Sequence, residues 1–182
     1  MKSSVRKPPV ASSALASRRT RRSLLKFFVG YAVVFGLFSA VSASISFENT
    51  LGRLMSAYAA RSGALLLNAV DRSASGSDGR VVVAGTVVRV MSGCNGVEVL
   101  TVVLPALLVV PIPLRAKIGG IALSILGLSV LNSLRVASLC LIKVRFPALF
   151  EVAHIYVWQV AIIVAGVSFF IYWTERFAVD QP

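Results

Sequence analysis

Acidic residues are scarce in this sequence. Seven Asp and Glu stand against nineteen Lys and Arg in 182 residues, and all charged residues together make up 14% of the chain. A soluble domain carries about 25%, so the composition argues against an ordinary water-soluble fold. Histidine occurs once, at His154, and cysteine twice, at Cys94 and Cys140. A structural zinc site takes four nitrogen or sulfur ligands, and one histidine with two distant cysteines does not supply them. No metal or cofactor is expected. Two cysteines are also too few for a disulfide framework. No internal repeat is visible. The stretches polar enough for water add up to roughly ninety residues in three or four pieces, which leaves no room for a large soluble domain.

What the chain has instead is apolar residues in long blocks. Hydrophobic residues make up 57% of it, and the mean hydropathy is +0.82. A helix crossing a bilayer needs about 20 residues, and four blocks approach that length. The expected spans are 27–45, 97–114, 118–141 and 154–173. The net charge of +12 suggests nucleic-acid binding until its distribution is read. Residues 1–26 hold Lys2, Arg6, Lys7, Arg18, Arg19, Arg21, Arg22 and Lys26 and no acidic residue. Such a cluster before a first apolar block marks the cytoplasmic side. No aromatic or polar readers are interleaved with these cations, as a nucleic-acid surface requires. Residues 1–26 therefore read as a disordered basic cytoplasmic tail. Thr20 to Lys26 also resembles a twin-arginine export signal, although further spans follow and an uncleaved anchor fits better.

Residues 46–93 are the longest polar segment and are expected outside the cytoplasm. Leu51, Leu54, Met55, Tyr58, Leu65 and Leu66 recur at helical spacing opposite Arg53, Arg61 and Asn68, the pattern of an amphipathic helix at a membrane surface. Residues 73–79 read as a turn-rich loop, and residues 80–91, rich in β-branched side chains around Gly85, as a short hairpin or bent strand. Arg115 and Lys117 form a short basic loop expected in the cytoplasm. Residues 175–182 return there as a tail. The fold class is thus an all-α integral membrane protein of about four transmembrane helices, with a small extracytoplasmic amphipathic helix and a short β-hairpin. Lys143 and Arg145 fall on the outer side, against the charge bias, but the inner clusters are larger.

This topology brings three chemically distinct residues to one side of the membrane. Cys94 precedes the second span, Arg135 lies one to two helical turns from the outer end of the third, and His154 begins the fourth. Each also admits a plain structural role. Free cysteine is among the most buried residue types, a long cation can snorkel to the headgroups, and an interfacial histidine suits the neighbourhood of Tyr156 and Trp158. Two features favour chemistry. Cys94 sits between Gly93 and Gly96 just before a helix start, where a thiol loses its proton more readily. Arg135 is the one charge within its span, and an intramembrane charge is a functional candidate by default. Cysteine with histidine is a nucleophile with its base, and a fixed guanidinium can hold an oxyanion. Glu98 is expected to interact with the N-terminus of the second span, Glu151 to cap the fourth or face water, and Cys140 to pack within the third.

The motifs Ser92-Gly-Cys94-Asn-Gly-Val-Glu98, Arg115-Ala-Lys117, Leu131-Asn-Ser-Leu-Arg135-Val, Phe150-Glu-Val-Ala-His154 and Tyr156-Val-Trp158-Gln159 resemble the exosortase/archaeosortase family of membrane-embedded sorting enzymes. The resemblance covers about residues 80–173. The Cys-Asn-Gly-Val-Glu wording and the short chain look most like the exosortase H branch. Most exosortases are longer, have more spans and read Cys-Ser-Gly at the nucleophile. The resemblance implies a cysteine protease or transpeptidase of the bacterial inner membrane, with Cys94 as nucleophile, His154 as acid/base and Arg135 holding the oxyanion. Its implied partners are exported proteins with a C-terminal motif, a transmembrane helix and a basic tail, together with membrane lipid; nucleic acid is not among them. Two other readings stay open on the residues alone. One is a non-enzymatic membrane assembly protein, and the other a thiol–disulfide carrier using Cys94 and Cys140, although the usual Cys-X-X-Cys is absent.

Overall fold

A computed structural model of the chain describes residues 10–70, 73–90 and 96–177. Helix α1 (Val10–Ser42) is followed by a short turn of helix, α2 (Ile45–Phe47), and a π-helical turn (Glu48–Gly52). Ser44 caps α2 by accepting a hydrogen bond from the Phe47 N–H. Helix α3 (Arg53–Asn68) leads into three short strands, β1 (Ala74–Ser77), β2 (Arg80–Val83) and β3 (Thr86–Arg89). Helices α4 (Val97–Val109), α5 (Leu114–Arg145), α6 (Phe150–Val152) and α7 (Trp158–Phe177) complete the order, with a second π-helical turn, Ala153–Val157, before α7.

Three segments are long and apolar enough to cross a membrane: Leu24–Ser42, Leu114–Arg145 and Pro147–Phe177. Little protein covers the first and the last. The Leu24–Ser42 window has no buried residue, and the stacked rings of Phe27, Tyr31 and Phe35 run along one side of α1. Apolar faces with no protein over them are what hydrocarbon solvates. The expected span over 97–114 is only partly helical. Its 13-residue helix rises about 20 Å, short of the ~30 Å of a hydrocarbon core. Pro111 and Pro113 stop it, because neither offers an N–H and the residue before a proline avoids the helical region. The chain goes on extended to Leu114. There Lys117 donates to the Leu108 carbonyl at 2.6 Å, occupying an acceptor that the helix end leaves open.

Helix α5 departs most from expectation. Its 32 residues extend about 48 Å, well beyond one bilayer. Helix α3 runs alongside its C-terminal half in the same direction. Met55 and Tyr58 share a small cavity with Leu128, Ser129 and Asn132, Ser133 donates to the Ser62 hydroxyl, and Gly63 lies against Val136. Val136, Ala137 and Cys140 then close a core with Ala59, Ala60, Ala64, Leu67, Val81, Val83 and Val90. The apolar run near the end of the expected third span is therefore used against α3 and the sheet, and Cys140 belongs to that core. Leu54, Tyr58 and Leu65 of α3 stay exposed, while Leu67 and the small residues Ala59, Ala60 and Ala64 are covered.

The sheet is a three-stranded antiparallel meander in the order β1-β2-β3. Asp78-Gly79 and Ala84-Gly85 form its turns, with φ of 45°, 71°, 48° and 75°. Both central residues at positive φ is the type I′ geometry that matches strand twist. Residues 74–77, expected as loop, are a strand. Ala-Ser-Gly-Ser has little strand preference of its own, and the neighbours impose the conformation. The Asn68 side chain both donates to and accepts from the Ala74 backbone, at 2.9 and 2.7 Å. Gly76 lies directly on the α3 backbone, where any Cβ would collide with the Ala60 carbonyl oxygen. Gly76→Ala is accordingly expected to destabilise the sheet against α3 by roughly 1–3 kcal/mol. A thermal melt of the detergent-purified protein, read against Ser75→Ala as control, checks this.

Candidate functional site

The chain returns to one end of the bundle three times, and the polar residues gather there. Helix α4 starts at Gly96, whose φ of 81° is a left-handed conformation that glycine adopts at no steric cost. A Cβ on Gly96 would stand 3.5 Å from the Asn132 side chain, so the start of α4 is seated on α5 at Asn132. Arg135 is one turn further along α5. Its Nη2 donates to the His154 carbonyl oxygen at 3.5 Å, which ties the start of the α7 region to the same level. Trp173 makes the matching tie at the far end of α7, donating to the Ala116 carbonyl at 2.9 Å. From the His154–Arg135 contact to the Trp173–Ala116 contact, α5 and the segment formed by the π-helical turn and α7 run side by side for 19 residues each, about 28 Å at helical rise. That distance is close to one hydrocarbon thickness. Arg135 and His154 thus share one level, about one hydrocarbon thickness from the Trp173–Ala116 contact.

Arg135 does not behave as a snorkelling anchor. Its residue is 3% exposed, whereas a snorkelling head reaches water. No carboxylate pairs with it among the described residues, its one hydrogen bond is long, and its Nε is buried with no partner. Asn132, 4% exposed, has a buried Oδ1 that is also unpartnered. Buried polar groups are satisfied in the large majority of cases, and an unmade bond from a buried group costs about 1–3 kcal/mol. One helical turn of α5 therefore holds an orphaned donor and an orphaned acceptor side by side. Asn132 was not among the expected site residues. The available signal was its position: an amide three residues before an intramembrane arginine, on the same helix face.

His154 lies on the π-helical turn Ala153–Val157 and is half-buried. Single π turns recur at functional sites because they re-aim one side chain. The imidazole stacks on Phe150, centroids 5.8 Å apart with 23° between planes, and Lys143 Nζ stands 4.7 Å from the centroid of the Phe150 ring. The charges of Arg135, Glu151 and Glu98 all act on it. Glu98 is in the first turn of α4 and Glu151 in the first turn of α6, both exposed. Acidic groups there complement the N-terminal end of a helix. The expected nucleophile, Cys94, lies outside the described residues, two positions before Gly96. Cys140 is fully buried in the α3–sheet core, away from the Arg135–His154 contact. No cluster of three or more His, Cys, Asp and Glu side chains able to hold a metal forms among the described residues.

The class these features define is a helical membrane protein with a buried cation in contact with a histidine backbone. Comparison with known families makes it specific. The family model for the transmembrane exosortase (Exosortase_EpsH) matches residues 8–176, and the chain belongs to that family. No curated protein and no solved structure matches it.

Proposed function

We propose that the protein is a sorting peptidase of the exosortase type, which cleaves the C-terminal signal of exported membrane-anchored proteins by cysteine chemistry and passes the product to an acceptor. The observation that carries this reading is the buried, unpaired guanidinium of Arg135 beside His154, at the level where α4 begins. Position 94 is two residues from Gly96, so the chain can carry Cys94 no more than about 7 Å from it. Gly96 itself rests on Asn132, one turn from Arg135.

In this mechanism the His154 imidazole takes the Cys94 thiol proton, and the thiolate attacks the carbonyl carbon of the substrate peptide. The C–S bond forms as the carbonyl π pair moves onto oxygen, where the Arg135 guanidinium donates to it. Collapse of the tetrahedral intermediate breaks the C–N bond, and His154 returns its proton to the leaving amine. An acceptor nucleophile, or water, then attacks the thioester and releases the thiol. The thiol–disulfide reading loses support because Cys140, its second thiol, is packed among Leu67, Val136 and the sheet.

Both termini are assigned to the cytoplasm, and the site to the periplasmic face of the bacterial inner membrane, on the strength of the eight basic residues before Phe27 and none acidic. Reporter fusions test this. A fusion at Ser75 is expected to report periplasm and one at Gln181 cytoplasm. The opposite pattern puts the site on the wrong side for exported substrates and refutes the proposal.

A further inference from the structure

Four arginines on three different elements line one open concavity of about 1050 Å³ between α3 and the sheet. They are Arg53 and Arg61 of α3, Arg80 of β2 and Arg89 of β3, with Glu48 and Asp78 the acidic groups on the same surface. All four are exposed, and none is in an ion pair among the described residues. The sheet register makes the arrangement costly by itself. Arg80 and Arg89 are direct cross-strand partners, and like charges so placed repel with Cβ atoms about 4.5–5.5 Å apart. A bound anion turns that repulsion into attraction.

The concavity also has a defined height. Gly79, in the turn that carries Arg80, packs on Ser56. The adjacent Met55 and Tyr58 share a cavity with Gly96 and Asn132, one helical turn from the Arg135–His154 contact, which stands about one hydrocarbon thickness from the Trp173–Ala116 contact and so fits a bilayer boundary. The other turn of the sheet, Ala84-Gly85, lies at the opposite ends of β2 and β3, so the opposed arginines occupy the membrane-proximal end. Apolar surface completes the lining: Leu54 and Tyr58 belong to it, and both are more than half exposed. On its adjacent side, the α2–α3 region offers Phe47, Leu51 and Met55 to an apolar cleft of about 410 Å³ shared with Leu37, Phe38 and Leu104. A surface that is cationic and apolar at once, at headgroup height, matches an amphiphile with an anionic head.

We propose that this concavity binds the headgroup of an anionic phospholipid, with the Arg80–Arg89 pair gripping the phosphate and the adjoining face of α3 supporting the first carbons of the acyl chains. The binding needs no chemistry at Cys94 and stands apart from the catalytic proposal.

The test uses the full-length protein in detergent, titrated with phosphatidylglycerol and with phosphatidylcholine and read by native mass spectrometry. Each arginine near an anionic lipid surface contributes about fivefold in affinity. The double variant Arg80→Gln/Arg89→Gln is thus expected to lose roughly 30-fold for phosphatidylglycerol and far less for phosphatidylcholine, whose choline cation offsets its phosphate. Its melting temperature without anionic lipid is expected to equal or exceed that of the unaltered protein, since a repulsive pair is gone. Arg53→Gln/Arg61→Gln, altered on α3 alone, is expected to show a comparable loss, which guards against a folding defect in the sheet. Arg176→Gln, at the end of α7 distant from the site, is expected to change nothing. Equal binding of the two lipids by the unaltered protein overturns the proposal. So does an undiminished preference in both double variants. Displacement of phosphatidylglycerol by a soluble poly-aspartate peptide makes the partner an acidic polypeptide instead and overturns it as well.

Discussion

Cys94→Ala is expected to abolish processing of the substrate while the protein accumulates normally in the membrane. The methyl group cannot form the thioester, and the chain's other thiol, Cys140, is fully buried in the α3–sheet core. Cys94→Ser tests the chemistry more finely. A hydroxyl is far less acidic than a thiol, and a thiol is already partly ionised near neutrality. His154 would have to remove a much less acidic proton, so little processing is expected to remain. Cys140→Ala is expected to be nearly silent for processing, with its effect confined to stability through the small cavity it opens. The ratio of precursor to product in cells carrying equal amounts of each variant measures all three. An essential Cys140 with a dispensable Cys94 reverses the assignment and favours the disulfide carrier.

Arg135→Lys is expected to insert and fold yet process substrate on the order of 100–1000-fold more slowly, the loss seen on removing one oxyanion donor in other acyl-transfer enzymes. The charge is kept, so an anchoring role would survive the change. The geometry is not kept. Arginine presents a rigid planar fork, and its Nη2 can hold the His154 carbonyl while Nε stays available. Lysine presents one rotating ammonium that cannot serve both places. His154→Ala is expected to impair processing to a similar degree. Near-normal processing by Arg135→Lys reduces Arg135 to a structural cation and transfers the oxyanion role to other donors, with the backbone N–H groups of Asn95 and Gly96 the nearest in sequence to Cys94.

The helical membrane architecture was legible because apolar block length and charge asymmetry are written locally. The Arg135–His154 juxtaposition was legible for a related reason: two adjacent segments that each cross one bilayer must return to the same boundary. What was hidden depends on which surface an apolar residue meets. Val136, Ala137 and Cys140 resume the apolar run of α5 after Arg135, and nothing local separates a lipid-facing valine from one facing a protein core. Only the helix length, 32 residues against the ~20 a span needs, records that the C-terminal part of α5 has another task. The strand Ala74–Ser77 was hidden because its order comes from Asn68 and from the Ala60 backbone, not from its own side chains. The shortening of α4 was readable in Pro111 and Pro113. The partnerless Oδ1 of Asn132 was not, because an unmade bond shows only once the neighbours are in place.

The central claim is a thioester between the substrate and Cys94, and trapping it is the most direct measurement. Membranes co-expressing the protein with a tagged substrate are to be quenched in acid and analysed by peptide mass spectrometry. The account predicts a substrate acyl group on the Cys94 peptide that hydroxylamine releases at neutral pH, absent from Cys94→Ala and unchanged in Cys140→Ala. An acyl adduct on any other residue, or normal product formation by Cys94→Ala, contradicts it.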